Sequence, residues 1–236
     1  MRSYARHRLK QDQFTAAAQD TVSWAVEHRQ KLIYGVCAAL VVLAIVLGIQ
    51  YYQRYQDNAA QAALSAALTT YQAPVRAAGQ PAVPGELSFA SAQERAKAAQ
   101  AQFSKVADDY RRTRSGVIAR YFLGLADVNL GDNKAAENQL QQVVNSRRED
   151  LVALAKFALA NLYRQTNQEA QAVKLYQDLI DHPGSTVPKS MAQLDLAALY
   201  APKRPQDARK IYEDVQKENP QGPAAAIAAN RLGEMK

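Results

Sequence analysis

One cysteine, one tryptophan and three histidines in 236 residues leave little material for covalent or metal chemistry. A single thiol cannot build a disulfide framework or a multi-cysteine zinc cage. Three scattered histidines do not form a metal-ligand pattern. The chain also lacks the phosphate-cradling G-x-x-x-x-G-K-[ST], the dinucleotide G-x-G-x-x-G, the nucleophile elbow G-x-S-x-G and the zincin H-E-x-x-H. No cofactor, metal or small-molecule substrate is therefore expected. Aromatics are only 8% of the chain, and no runs of alternating β-branched and aromatic residues occur, which excludes a sandwich or barrel. The formal charge of +7 is modest and forms no long basic stripe, so nucleic acid is not an expected partner. What is abundant is alanine, roughly one residue in five. Alanine gives up no side-chain entropy on entering a helix, so the expected fold class is all-α.

Charge is missing altogether from Leu32 to Gln53, and the 18 residues Leu32–Ile49 are almost wholly apolar. About 20 such residues cross the hydrocarbon layer of a bilayer. A core helix of a soluble domain rarely stays apolar on every face for so long. Trp24, Tyr34, Tyr51 and Tyr52 lie near the ends, where amphipathic rings suit the headgroup zone. A cleaved signal peptide fits poorly: a long region precedes the run, and QYYQRYQ after it offers no small-residue cleavage site. The run is expected to be an uncleaved signal anchor. Arg2, Arg6, Arg8, Lys10, Arg29 and Lys31 precede it, and only Arg54 follows before Arg76. By the positive-inside rule the N-terminus is expected in the cytoplasm and the C-terminal body across the membrane, in the periplasm of a bacterium. Cys37 sits inside the span, so the exported part carries no thiol, as suits an oxidising compartment. The expected organisation is a basic cytoplasmic tail over 1–31, a transmembrane helix over 32–53 and an exported domain over 54–236. Within the tail, Phe14, Ala17, Ala18, Thr21, Val22 and Ala25 recur at helical spacing. They suit either a basic amphipathic helix on the inner leaflet or a plain soluble tail.

The exported domain repeats itself. Gly124, Ala160 and Ala197 recur at steps of 36 and 37 residues. Ala99, Ala136, Ala172 and Ala208 recur at steps of 37, 36 and 36, each followed four positions later by Phe103, Leu140, Tyr176 or Tyr212. Pro183 and Pro220 follow the second helix of a pair, where a helix breaker belongs. Gly131 and Asn167 fall between paired helices, where a left-handed backbone closes a tight turn. The first pair needs an upstream helix, supplied by Gln53–Tyr71. Its partner begins near Ser91, after an insert near 73–89 that carries Pro74, Pro81 and Pro84 and reads as a loop. The tail GPAAAIAANRLGEMK reads as a capping helix.

A small residue and a hydrophobe in helix A, then A-x-x-x-[F/Y] in helix B, then proline, resembles the tetratricopeptide repeat (TPR). The pattern has a physical basis. Two antiparallel helices approach closely only if one side is Gly or Ala, and the bulky residue of helix B fills the space to the next repeat. One such unit cannot bury its own face, so several must stack. This sequence departs from the usual pattern in four ways. Helix A has no Trp, Asp127 stands where an aromatic is usual, Leu140 replaces the ring of helix B, and the period is longer than about 34 residues.

Catalytic candidates are few. His182 has no other His or Cys in the exported domain to work with, and at a helix end it suits a dipole-compensating cation. The pairs Asp108–Asp109 and Glu149–Asp150 lie at helix termini, as solvated caps do, and Arg111, Arg112 and Arg114 form a short basic cluster at a helix end. The chain is not expected to be an enzyme. Binding is left. A TPR stack curves, and helix A lines its concave face. Tyr121, Leu125 and Asn129 of the second repeat are expected there, with Phe157, Asn161 and Arg164 of the third. Rings supply contact area and amides hold a peptide backbone. The competing reading is that Tyr121 and Phe157 fill the core between repeats.

A basic cytoplasmic tail, one span and an exported TPR body resemble, over the whole chain, the YfgM-type family of ancillary SecYEG translocon subunits. The resemblance implies a non-enzymatic scaffold or chaperone-network component at the Sec channel, partnered by SecYEG and a membrane-anchored periplasmic chaperone, assisting newly exported proteins. The other reading is a TPR adaptor for a different envelope complex, in cytochrome c maturation, secretion or outer-membrane assembly. Self-association through a TPR helix is compatible with either.

Overall fold

The computed structural model describes residues 28–77 and 79–235, so the basic tail and its amphipathic pattern lie almost entirely outside the described residues. Among the described residues the chain forms helices joined by turns, with one isolated bridge between Val75 and Phe89. The helices are α1 (Arg29–Gln72), α2 (Ala92–Asp109), α3 (Arg114–Leu130), α4 (Asn133–Val144), α5 (Glu149–Gln165), α6 (Glu169–Asp181), α7 (Lys189–Tyr200), α8 (Pro205–Glu218) and α9 (Pro223–Glu234). The chain divides into two compact units between Tyr55 and Gln56, inside α1.

The first unit holds the apolar stretch of α1. From Leu40 to Gln50 every residue is exposed. By length and composition this helix is sufficient to cross a membrane.

The second unit is a stack of helix pairs in which sequence neighbours pack on one another from α2 through to α9. Helix α3 also touches α5, and α7 touches α9, as first helices of successive repeats should. The residues that set the period are the ones most completely buried. Ala99, Ala136, Ala172 and Ala208 have no exposed surface, and Phe103, Leu140, Tyr176 and Tyr212 are buried beside them. Gly124, Ala160 and Ala197 are buried in the facing helices. A β-carbon at Gly124 would lie 2.8 Å from Leu140 Cγ, so the absence of a side chain is what lets α3 and α4 approach. Large apolar residues buried this way contribute about 1.5–3 kcal/mol each.

Local chemistry starts and stops the helices. Ser91 accepts from Glu94 N at 3.1 Å while the Glu94 carboxylate accepts from Ala90 N at 2.9 Å. Thr113 caps α3 and Asp132 caps α4 through the amides of Gly116 and Ala135. Pro205 and Pro223 occupy first turns, where a missing N–H costs nothing. Gly131 (φ 80°) and Asn167 (φ 59°) adopt the left-handed conformation in the turns α3–α4 and α5–α6. Helix α6 ends at Asp181, just before Pro183, and α8 ends at Glu218, just before Pro220. Between α1 and α2 the chain is irregular but tied at its ends. Arg76 N donates to Phe89 O, Phe89 N donates to Pro74 O, and the Arg95 guanidinium donates to Ala73 O at 3.0 Å.

Candidate functional site

The six helix-A residues lie on two touching helices, in two different environments. On α3, Tyr121 and Leu125 are half-buried and Asn129 is exposed in the last turn. The Tyr121 ring meets Phe122 edge-on at 5.4 Å. Phe122 in turn stacks on Phe103 at 5.5 Å, and Tyr71 of α1 contacts both rings edge-on. Burial pushes the Tyr121 hydroxyl above its ordinary value, with Tyr71 adding to the effect. This end of the repeat unit is an aromatic joint, α1 to α2 to α3, in which dispersion and ring geometry make the contact.

On α5, Phe157, Asn161 and Arg164 are brought together around two residues of other helices. Phe157 meets the Tyr176 ring of α6 edge-on at 6.2 Å. The Asn161 side-chain carbonyl accepts from the Tyr176 hydroxyl at 2.9 Å and from Arg164 Nη2 at 3.0 Å. The Asn161 amide also hydrogen-bonds the Asp195 carboxylate of α7. One amide thus links three helices. Burial raises the Asp195 carboxyl above its ordinary value, while the Arg164 charge and the Asn161 hydrogen bond pull it back. Burial, then the Asp195 charge, pushes the Tyr176 hydroxyl strongly upward, against the opposing pull of Arg164. Arg164 Nε is buried and has no hydrogen-bond partner among the described residues. Phe157 is half-buried against this network, and Asn161 is committed within it.

Two more polar contacts tie first helices to second helices. Asp127 is 2% exposed and accepts from Gln100 Nε2 at 2.6 Å. Burial raises its carboxyl, and the hydrogen bond partly opposes that rise. The Tyr163 hydroxyl donates to Glu137 at 2.7 Å, and burial together with that carboxylate pushes it up to about 12. The aromatic position occupied by Asp127 is thus filled by a hydrogen bond between α2 and α3.

The other candidates have ordinary surroundings. The His182 side chain is 79% exposed and pairs with Asp178 at 3.4 Å at the end of α6. Lys156 bridges to the same Asp178 at 2.6 Å, and its hydrogen bond is the main reason that carboxyl sits below its usual range. Arg114 pairs with Asp150, joining the α2–α3 and α4–α5 turns. A shallow polar concavity lined by Lys134, Glu137, Asn138, Gln141, Gln142 and Asn145 lies on the surface of α4 and includes none of the six helix-A residues.

Asp195 and Gln100 were not legible as site residues, although an acidic residue inside the apolar stretch MAQLDLAALY was a usable signal. Tyr176 was legible only as a buried ring. The assembled arrangement offers hydrogen-bond donors, acceptors and ring edges on a rigid helical frame, the means of recognising another chain.

The comparisons agree with this geometry. Residues 23–222 match the family model described as a tetratricopeptide repeat-like domain. Among solved structures, the chain is similar to the nearly identical TPR-like repeats of a Podosopora anserina kinesin light chain, seen in two crystal structures, one of a point variant. Each is 20% identical, with a TM-score of 0.51, over 61% of this chain and 79% of that one. At that identity the likeness concerns the fold alone. No curated protein matches the chain. Such repeats are a protein-interaction scaffold, typically non-enzymatic, and imply protein partners. With the family match covering most of its length, the chain belongs to the tetratricopeptide repeat-like domain family.

Proposed function

We propose that this protein is a membrane-anchored, non-enzymatic scaffold of the bacterial inner membrane, acting beside the Sec translocon as a YfgM-type ancillary subunit. The observation that carries the anchored-scaffold reading is the joining, in one chain, of a helix apolar enough to span a bilayer and a TPR-like stack. The family match runs from residue 23 to 222 and takes in both. The excess of Arg and Lys before the span supports a cytoplasmic N-terminus and periplasmic repeats. In this reading residues 1–31 are the cytoplasmic tail, 32–53 the membrane helix and 54–236 the periplasmic repeat domain. The partners are SecYEG and a membrane-anchored periplasmic chaperone, and the clients are newly exported proteins. Tyr121, Leu125, Asn129, Phe157, Asn161 and Arg164 form the face that meets them.

The test is a pulldown of the full-length protein in mild detergent, read by mass spectrometry. Channel subunits together with a membrane-anchored periplasmic chaperone are expected. A different stable envelope complex in their place would move the function to the adaptor reading and leave the fold intact. A reporter fused after Lys236 should be active only on the exported side. For the binding face, combining Tyr121→Ala with Phe157→Ala should weaken partner capture at nearly unchanged melting temperature. A large loss of stability would instead assign both rings to the core.

A further inference from the structure

The repeat register does not stop at α8. Gly124, Ala160 and Ala197 are followed, 36 residues on, by Gly233 of α9, and Leu123, Leu159 and Leu196 are followed by Leu232. Helix α9 is therefore the first helix of a further repeat whose second helix is missing from the stack. Its inner side is filled in the usual way, with Ala225 and Ala228 buried and Leu232 half-buried against the main core. Its outer side is open. In the earlier repeats the small residue is covered by helix B, and at Gly124 a β-carbon would strike Leu140 at 2.8 Å. At Gly233 a β-carbon would meet nothing within 4 Å. Ala226 and Ala229, on the same face, are exposed, whereas their register equivalents Ala153 and Gln193 are buried. The neighbouring Ile227 is 48% exposed. The end of a repeat stack is ordinarily closed by a polar outer face. This one keeps the small, apolar surface that accepts a helix.

We propose that the Gly233 face of α9 is a docking site for a helix of a partner protein, one that presents a small residue followed four positions later by Leu or an aromatic. The proposal rests on the scaffold reading but not on the Sec assignment. The occupant is argued from the chain itself, because the face continues an interface already built three times: α4 on Gly124, α6 on Ala160 and α8 on Ala197. The same register places Ala136 and Leu140, Ala172 and Tyr176, and Ala208 and Tyr212 opposite those positions. A second copy has no such helix to lend. The four segments with this signature, including Ala99 with Phe103, are already buried in their own repeats. The docked helix therefore comes from a different protein and completes the unfinished repeat.

The test uses full-length protein in mild detergent and a fluorescent peptide copying α8 (Pro205–Glu218), cross-linked on its solvent side so that it is helical in solution. Saturable binding by anisotropy is expected. Gly233→Leu, which fills the slot without meeting a neighbour, should weaken it by about tenfold or more with the melting temperature unchanged. A peptide carrying Tyr212→Ala should bind comparably poorly. Absence of binding by the constrained peptide, or binding indifferent to Gly233→Leu, would overturn the proposal. So would a dimer, seen by light scattering, that Gly233→Leu dissociates, since a second copy would then own the face. The two readings fail separately: a wild-type pulldown without channel subunits removes the Sec assignment and leaves the peptide result standing.

Discussion

The two joints that hold the repeat unit together sit one repeat apart and are made of opposite materials. At α1–α2–α3, Tyr71, Phe103, Phe122 and Tyr121 touch ring to ring. At α5–α6–α7, Asn161 gathers Tyr176, Arg164 and Asp195 into one hydrogen-bonded group. The register positions are homologous, since Tyr121 matches Phe157 and Leu125 matches Asn161. One stacking geometry thus accepts either an apolar or a polar filling. A ring cluster is tolerant of direction, because dispersion has none. An amide hub is exacting, because every buried donor and acceptor left unpaired costs about 1–3 kcal/mol. The polar joint therefore specifies how α7 sits on α5, while the aromatic joint mainly supplies burial.

That contrast can be broken from the aromatic side first. Phe103→Ala removes a ring with no exposed surface that contacts both Tyr71 and Phe122. It should cost about 3–5 kcal/mol in equilibrium denaturation, and a loss under about 1 kcal/mol would mean that this joint is not part of the cooperative core.

Close approach gives the next largest effect. Gly124→Ala places a methyl group 2.8 Å from Leu140 Cγ. A cost of about 1–3 kcal/mol is expected from overpacking. In a Leu140→Ala background the same change should cost much less, and a double-mutant cycle measures the difference. Equal costs in both backgrounds would show that α3 and α4 are not held apart by that contact.

The smallest effect sharpens the polar side. The Asp195 carboxyl is raised by burial from an ordinary value of 3.8. Its neutral form is the one the folded state favours. Its contribution to stability is present in full below pH 3.8 and is lost as pH rises through the raised value. Replacing it by Asn removes the titration. The stability of the wild type relative to Asp195→Asn should therefore fall between pH 3 and pH 7, and a pH-independent difference would contradict the burial of this carboxyl. Asp178, lowered by Lys156, has the opposite slope, losing its contribution as pH falls.

Most of the stack was legible because its determinants are periodic. Ala99, Ala136, Ala172 and Ala208 recur at nearly constant steps, and each is fully buried. Gly131 and Asn167 announced their turns through the one backbone region those residue types tolerate. The polar hub was not legible for the same reason in reverse. Asp195 stands where the third repeat has Ala158 and the second has Phe122, so no period marks it. The open end at Gly233 was hidden too, since a capping helix and an unfinished repeat read alike until exposure separates them.

By itself the sequence determined the helical class, the repeat register, the turns and the apolar length of the anchor. All of these follow from local backbone preference and the spacing of small and bulky residues along one chain. Only the tertiary structure decided that Asn161 is committed to Tyr176, Arg164 and Asp195, that Asp127 is bonded to Gln100, and that Gly233 faces open space. Those outcomes depend on which helices meet across 15 to 37 residues of sequence, a distance over which side-chain chemistry alone sets no geometry.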